Sequence, residues 1–177
     1  MPYLRAATDA PFGAMPYGRT LRVRAYNKDA DGGAIYPGDF VILETDGAVA
    51  IAATGSTTLV GVAAEYSAAT TAKTDFLVYD HPEQEFVIQD DGDTTAMTEA
   101  SIGTKVNITV TTGDTTTLRS LHELDSSTAN TTSTLALSVI GLHPLEERSF
   151  ASAAGAQRKW VVKINNHING FIGRTGI

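Results

Sequence analysis

Residues 39–53 read DFVILETDGAVAIAA, which is two short apolar runs separated by Asp46 and Gly47. An Asp-Gly pair between two apolar runs is typical of a β-hairpin, because its backbone suits the tight turn between paired strands. The segment therefore predicts two neighbouring antiparallel strands joined by this turn.

Strand patterns continue on both sides of this hairpin. Residues 21–25 alternate apolar side chains with Arg22 and Arg24, and residues 105–111 alternate in the same period of two. Short strands separated by Gly, Asp and Thr turns predict an all-β fold, either a small β-barrel or a sandwich. The predicted strands are residues 21–25, 39–44, 48–53, 58–66, 76–79, 85–89, 105–111, 135–142 and 160–164.

The remaining segments carry weaker patterns. Residues 96–102 and 119–125 could each form a short helical turn, whereas residues 109–117 and 126–134 are Thr-rich and predict long polar loops. The β-branched content of these Thr-rich segments also allows edge strands. In the last predicted strand, alternation places Trp160, Val162 and Ile164 on one face, which we expect to be buried.

Composition excludes several classes of function. The chain has 177 residues, a net charge of -7 and a pI of about 4.9, whereas binding to a nucleic-acid backbone requires a clustered positive field. It has no cysteine, which excludes disulfides and thiolate metal sites. No stretch approaches the ~18 consecutive apolar residues of a membrane span. We therefore expect neither a nucleic acid nor a membrane as partner.

Motifs of catalytic chemistry are missing from the sequence. His122-Glu123 begins an HExxH zinc motif, but Ser126 stands where the second histidine should be. The four histidines are widely spaced, and each is expected to be a hydrogen-bonding residue on the surface or in a loop. No catalytic residue, cofactor or metal site is predicted, and we expect the chain not to be an enzyme. The histidines are His81, His122, His143 and His167.

An acidic turn follows the strand at residues 85–89. Asp90, Asp91 and Asp93 surround Gly92, but the glycine comes too early and Glu99 too soon for an EF-hand loop. An acidic turn is the favoured interpretation, and a weak cation site at these three aspartates stays open.

The N-terminal residues predict an arm rather than a regular element. Pro and Gly interrupt residues 1–19, yet aromatic and basic side chains alternate there. We divide the chain into this arm, a β-domain at residues 20–169 and a tail at residues 170–177. The arm is either a floppy terminus or a docking element, since disordered tails rarely carry so many aromatics. The candidate binding residues are Tyr3, Arg5, Phe12, Tyr17, Arg19, Arg22 and Arg24.

Charge is segregated along the chain. Residues 75–99 contain eight acidic side chains and no Lys or Arg, whereas both ends of the chain are basic. Such an arrangement suits head-to-tail contact between copies, or a basic arm on an acidic partner. Simple solvation of charged side chains explains it equally well.

Several segments resemble a known family. Residues 38–41 (GDFV), Asp46-Gly47 and residues 59–63 (LVGVA) resemble the small β-barrel of tailed-phage head decoration proteins. Residues 78–92, 121–134 and 160–169 are similar to virion proteins of environmental tailed phages, including cyanophage head cement proteins.

The resemblance implies a homotrimer made in the host cytoplasm and located on the outer surface of the capsid. Its partners would be the major capsid protein and copies of itself, and it would stabilise the head. The alternative is a receptor- or carbohydrate-binding head fibre or spike module, which is also rich in strands.

Overall fold

The computed structural model describes residues 9–93, 95, 97–145 and 157–170. Of the described residues, 42% are in strands and 2% in helix, which confirms the predicted all-β class. Among the described residues, no helix is long and apolar enough to cross a membrane. The strands are β1 (Met15–Pro16), β2 (Val23–Lys28), β3 (Phe40–Leu43), β4 (Val49–Ile51), β5 (Gly61–Ala63), β6 (Lys73–Tyr79), β7 (Glu85–Gln89), β8 (Lys105–Thr109), β9 (Glu123–Asn130), β10 (Leu137–Leu142) and β11 (Lys159–Ile164), and a single 3-10 turn covers Glu99–Ser101.

The strands form two antiparallel sheets. The five-stranded sheet has the order β2-β6-β5-β3-β4, and the six-stranded sheet has the order β1-β7-β11-β10-β8-β9. Neither sheet is a closed barrel, so of the two predicted architectures the sandwich fits the structure.

The β-hairpin predicted at residues 39–53 is confirmed. Val41 pairs with Ile51 and Leu43 with Val49, so β3 and β4 are antiparallel neighbours. Gly47 has a φ of 89°, which a side chain would strain, and the Ala48 amide donates to Oδ1 of Asp46 at 2.9 Å.

The five-stranded sheet is covered on both faces. Phe40 belongs to the main core between the sheets, whereas its neighbour Val41 belongs to a second core on the other face. The alternation of strand side chains therefore buries both runs of the hairpin. The second core contains Ile35, Val41, Val49, Val60, Ala63, Phe76 and Val78.

Each sheet curls until its ends nearly meet. In the five-stranded sheet a parallel bridge joins Asn27 of β2 with Ala48, which directly precedes β4. In the six-stranded sheet a similar bridge joins Asp90, which follows β7, with Leu124 of β9. The twist between successive strands adds up to such curvature. A single bridge is not a continuous ladder of hydrogen bonds, so neither sheet closes into a barrel.

Gly61 lets β5 lie close to β6. A Cβ atom at this position would stand 2.2 Å from the carbonyl oxygen of Tyr79 and 2.7 Å from Cγ1 of Val78. The glycine of the LVGVA segment is therefore required by a close backbone approach inside the sheet.

The burial predicted for the last strand is confirmed. Trp160, Val162 and Ile164 all lie in the main core, and Trp160 has no exposed surface. Val161, on the other face of β11, is buried as well, and β11 lies between β7 and β10 in its sheet.

The weaker predictions have mixed outcomes. The helical turn predicted at residues 119–125 is wrong, because β9 begins at Glu123 and pairs with β8. Part of the Thr-rich stretch at 126–134 belongs to β9, which is the edge strand that its β-branched content allowed. The short helical turn predicted at residues 96–102 is confirmed as the 3-10 turn at Glu99–Ser101.

Candidate functional site

The second half of the N-terminal segment is part of the folded body. Ala14 is buried in the main core, and Met15 and Pro16 pair with Val87 and Phe86 of β7. The amide of Tyr17 donates to the carbonyl of Glu85 at 2.9 Å. The prediction of an arm that extends to residue 19 is therefore wrong for residues 14–17. Residues 1–8 lie outside the described residues. The limits of the β-domain and of the tail stay predictions.

Five of the seven predicted binding residues lie in the described part of the chain, and their surroundings differ. Phe12 is half-buried with Nζ of Lys159 6.0 Å from its ring centre, and Tyr17 packs edge-on against His143 at 5.6 Å. Arg19 is exposed. Tyr3 and Arg5 lie outside the described residues, so their role stays a prediction.

Arg22 and Arg24 are held by a buried carboxylate that the sequence did not predict. Asp80 is fully buried; Nε of Arg22 lies 2.6 Å from its Oδ1, and Nε of Arg24 lies 3.2 Å from its Oδ2. The Tyr26 hydroxyl donates to Oδ2 at 2.8 Å. The two arginines are thereby fixed in position, which lowers the entropy that either would lose on binding a partner.

The same region exposes an apolar strip. Val23 and Leu77 are each 41% exposed, and Leu21 just before β2 is 44% exposed. Ala25 pairs with Leu77, so Val23 and Leu77 lie on one face of the sheet, opposite to that of Arg24. We call Leu21, Val23, Arg24 and Leu77 together the β2 edge.

Three carboxylates lie close together near β9, at one edge of the six-stranded sheet. Asp91, Asp93 and Asp125 each offer an oxygen within 4.8 Å of the others, and we call these three residues the acidic cluster. The Ser126 hydroxyl lies 2.7 Å from Oδ1 of Asp91 and 2.9 Å from Oδ1 of Asp93, so these two oxygens share its one proton. The Ser126 amide also donates to Oδ1 of Asp91 at 3.2 Å.

Asp90 does not join this cluster. It is buried, and its carboxylate accepts from Nε1 of Trp160 at 2.8 Å and from the Arg158 amide at 3.2 Å. Burial raises the pKa of Asp90 to about 6, although these hydrogen bonds oppose the shift. Of the three aspartates considered for a weak cation, Asp90 is therefore a structural acceptor, and Asp125 takes its place beside the other two.

Glu123 stands beside the acidic cluster and titrates near neutrality. Burial, and then the charges of Asp9, Asp91 and Asp90, raise the pKa of Glu123 to about 7. A raised pKa means that this group contributes stability below its ordinary value of 4.5, and that the contribution is lost as pH rises through about 7.

Glu123→Gln is therefore expected to make the protein more stable at pH 8 and to change little at pH 4. The gain should reach about 1 kcal/mol, because solvent screens a half-exposed group. Urea unfolding at both pH values measures it, with Glu99→Gln as the control that removes an exposed carboxylate. A Gln variant that is no more stable than the native protein at pH 8 would contradict the burial of this charge.

Ser120, His122 and Asp39 meet in the interior. All three are fully buried, and Nε2 of His122 lies 3.3 Å from Oδ1 of Asp39. The Phe40 amide donates to Nδ1 of His122 at 3.2 Å, and the His122 amide donates to Oγ of Ser120 at 3.1 Å. Burial raises the pKa of Asp39 to about 6 and lowers that of His122 to about 4.

These residue types also serve nucleophilic catalysis, but here they lack access to solvent and the Ser120 hydroxyl accepts a backbone amide. Through the contacts of His122 with Asp39 and Phe40, the segment before β9 is held against the start of β3. His122 and His167 each lie outside the strands and accept a hydrogen bond through Nδ1, which agrees with the expectation of a hydrogen-bonding residue on the surface or in a loop. Both are buried, so the surface position is excluded for these two.

No family model, curated protein or solved structure matches this chain. Any functional conclusion therefore depends on the residues and geometry described above.

Proposed function

We propose that this protein is a decoration, or cement, protein of a tailed-phage head. It would bind the major capsid protein on the outer surface of the capsid, as a homotrimer, and stabilise the shell. The support comes from the resemblance of the GDFV, LVGVA and later segments to that family, together with the position of the N-terminal strand.

The observation that carries the proposal is the position of β1. In the part of the chain that the structure describes, it is the outermost strand of its sheet, pairs with β7 alone, and leaves the Met15 side chain 48% exposed. An extended peptide can add beside a strand in this position, and because Pro16 has no N–H, the strand would contribute mainly backbone carbonyls. Residues 1–8, with Tyr3 and Arg5, precede this edge and would extend the contact onto the capsid.

Stabilising a shell needs adhesion rather than chemistry. Many copies of a small subunit that each bridge neighbouring capsid proteins add up to a multivalent hold. Anything that binds only the assembled state also shifts the equilibrium toward that state. A folded β-domain with an exposed edge strand at which the capsid protein can bind is sufficient for this role.

A carbohydrate-binding module is less well supported. Such sites stack sugars on exposed aromatic rings, and among the described residues Tyr66 is the only exposed aromatic side chain. Its ring packs against that of Tyr36, with 5.2 Å between ring centres. Tyr66 is thus already engaged within the fold.

The test is a truncation that spares β1. Deleting residues 2–8 is expected to leave the unfolding transition unchanged while reducing occupancy on phage heads stripped of their cement by at least about tenfold, since aromatic and Arg anchors carry much of an interface's energy. Occupancy is measured by quantitative gel analysis of purified heads.

Two controls separate anchoring from other effects. A chain whose residues 2–8 are replaced by Gly and Ser at equal length should bind as poorly as the truncated one. The intact chain should saturate the heads. If the intact chain does not bind at all, the proposed function is wrong, and if the truncated chain binds as fully, the contact lies on the body.

A further inference from the structure

We propose that a cavity on the outer face of the six-stranded sheet binds an aliphatic carboxylate, supplied either by a free short-chain acid or by a glutamate side chain of a partner polypeptide. The cavity has a volume of about 190 Å³. Its lining includes residues of β8, β10 and β11 but none of β1, so the site does not depend on the proposed binding to a phage head.

A row of three polar side chains crosses this face of the sheet. Ser138 of β10 pairs with Lys105 of β8 on one side and with Lys163 of β11 on the other. The side chains of directly paired residues lie on the same face of a sheet. The preceding residue of β10, Leu137, belongs to the main core, so the row lies on the face turned away from that core. Two lysines therefore flank a serine, and all three line the cavity.

The charges around the cavity are mainly positive. Among the described residues that line it, Lys105 and Lys163 are cationic and Glu83 is acidic. His167 also lines the cavity, but burial lowers the pKa of its ring, which is therefore uncharged at neutral pH. Lys105 is 7% exposed, so solvent screens its charge poorly. A positive site of this kind attracts an anion, although the chain as a whole has a net charge of -7.

The ion pair at Lys163 leaves room for such an anion. Nζ of Lys163 lies 2.8 Å from Oε2 of Glu83, but the Glu83 side chain is 63% exposed. An ion pair at the surface contributes little stability, because solvent and salt screen it. Glu83 can therefore turn into solvent at small cost, and a ligand carboxylate can replace it at the amine.

The rest of the lining indicates a carboxylate with an apolar stem. Pro82 and Ile140 also line the cavity, and Ile140 is 42% exposed, so methylene groups that cover it would remove apolar surface from water. The Ser138 hydroxyl has a long contact with Oδ1 of Asn165, at 3.3 Å, and can turn to donate to a ligand. Inorganic phosphate fits less well, because it lacks a stem and its greater charge costs more to desolvate.

The test titrates the isotope-labelled full chain with butyrate, which has the carboxylate and the stem of a glutamate side chain. At constant ionic strength, the amide signals of Gly103 and Val139, which line the cavity, should shift and saturate. The expected Kd is about 1–10 mM, as suits so small a ligand. Butyramide, which has the same shape but no charge, should leave these signals in place.

Two variants should change the affinity in opposite directions. Lys163→Gln removes one amine and should weaken butyrate binding about tenfold, because a hydrogen bond to a charged group is lost. Glu83→Gln removes the competing carboxylate and should strengthen binding about threefold. Lys73→Gln is the matched control and should bind like the native chain, because Lys73 forms a similar ion pair with Glu65, at 2.7 Å, in the five-stranded sheet.

A blocked Gly-Glu-Gly peptide distinguishes the two sources of the carboxylate. Tighter binding than that of butyrate supports a side chain of a partner polypeptide, and weaker binding supports a free acid. Three results would overturn the inference: no saturable shift with butyrate up to about 100 mM, phosphate that binds as tightly as butyrate, or a Glu83→Gln variant that binds no more tightly than the native chain. Because the titration contains no phage heads, its outcome is separate from that of the head-binding experiment.

Discussion

Replacing Trp160 with alanine is expected to lower the free energy of unfolding by about 3–5 kcal/mol. The indole is fully buried in the main core, where its loss leaves a cavity between the sheets. Its Nε1 also donates to Asp90 at 2.8 Å, so the change leaves a buried carboxylate oxygen without this donor. Urea unfolding followed by far-UV circular dichroism measures the loss without relying on tryptophan fluorescence.

Trp160→Phe is the matched control. It keeps most of the ring volume but removes the N–H group, so its cost should be smaller and should isolate the hydrogen bond to Asp90. In the native protein, the fluorescence of this single tryptophan should resist quenching by iodide. Full quenching, or an alanine variant as stable as the native chain, would contradict the burial of this face.

Replacing Gly61 with alanine is expected to cost at least about 3 kcal/mol, because the methyl group must overlap backbone that cannot move independently. The nearest atom to the new Cβ would be the carbonyl oxygen of Tyr79, at 2.2 Å. The overlap can be removed only if β5 moves away from β6, and this breaks the pairing of Val62 with Tyr79 and of Ala63 with Val78. The midpoint of thermal unfolding and the yield of folded protein report the effect.

Gly141→Ala is the control for adding a methyl group at a strand glycine. Gly141 lies in β10, and a Cβ atom there would meet nothing within 4 Å. This variant should be as stable as the native chain or slightly more so, since alanine restricts the unfolded state. If both variants melt alike, the close approach at Gly61 is not what determines the effect.

The strands could be predicted because their signals are local. The Asp46-Gly47 turn and the alternation in residues 105–111 each involve neighbours in sequence, and the structure has strands at both places. β1 could not be predicted this way, since it has two residues, too few for any periodicity. Pro16 indicates a break when read alone, but an edge strand tolerates a proline because one side of it needs no donor.

The site residues escaped prediction for a different reason. Asp80 meets Arg22 from 58 residues away, and Asp91 meets Ser126 from 35 residues away. Nothing in the spacing of these residues signals contact, because strand order decides which loops become neighbours. The sequence placed the charges in separate regions, and only the fold shows that Asp125 joins the acidic cluster while Asp90 turns inward.

The order of strands also constrains how the chain folds during translation. The five-stranded sheet uses only residues 23–79, so all of its strands are synthesised before β7 and every later strand of the six-stranded sheet. The six-stranded sheet is different, because β11, the last of the described strands in chain order, lies between β7 and β10. β1 is synthesised long before its pairing partner β7, and β7 in turn is synthesised long before its neighbour β11. The apolar face of the first sheet, with Phe40 and Val62, is therefore uncovered until β11 has been synthesised, and during this interval the nascent chain is most exposed to aggregation.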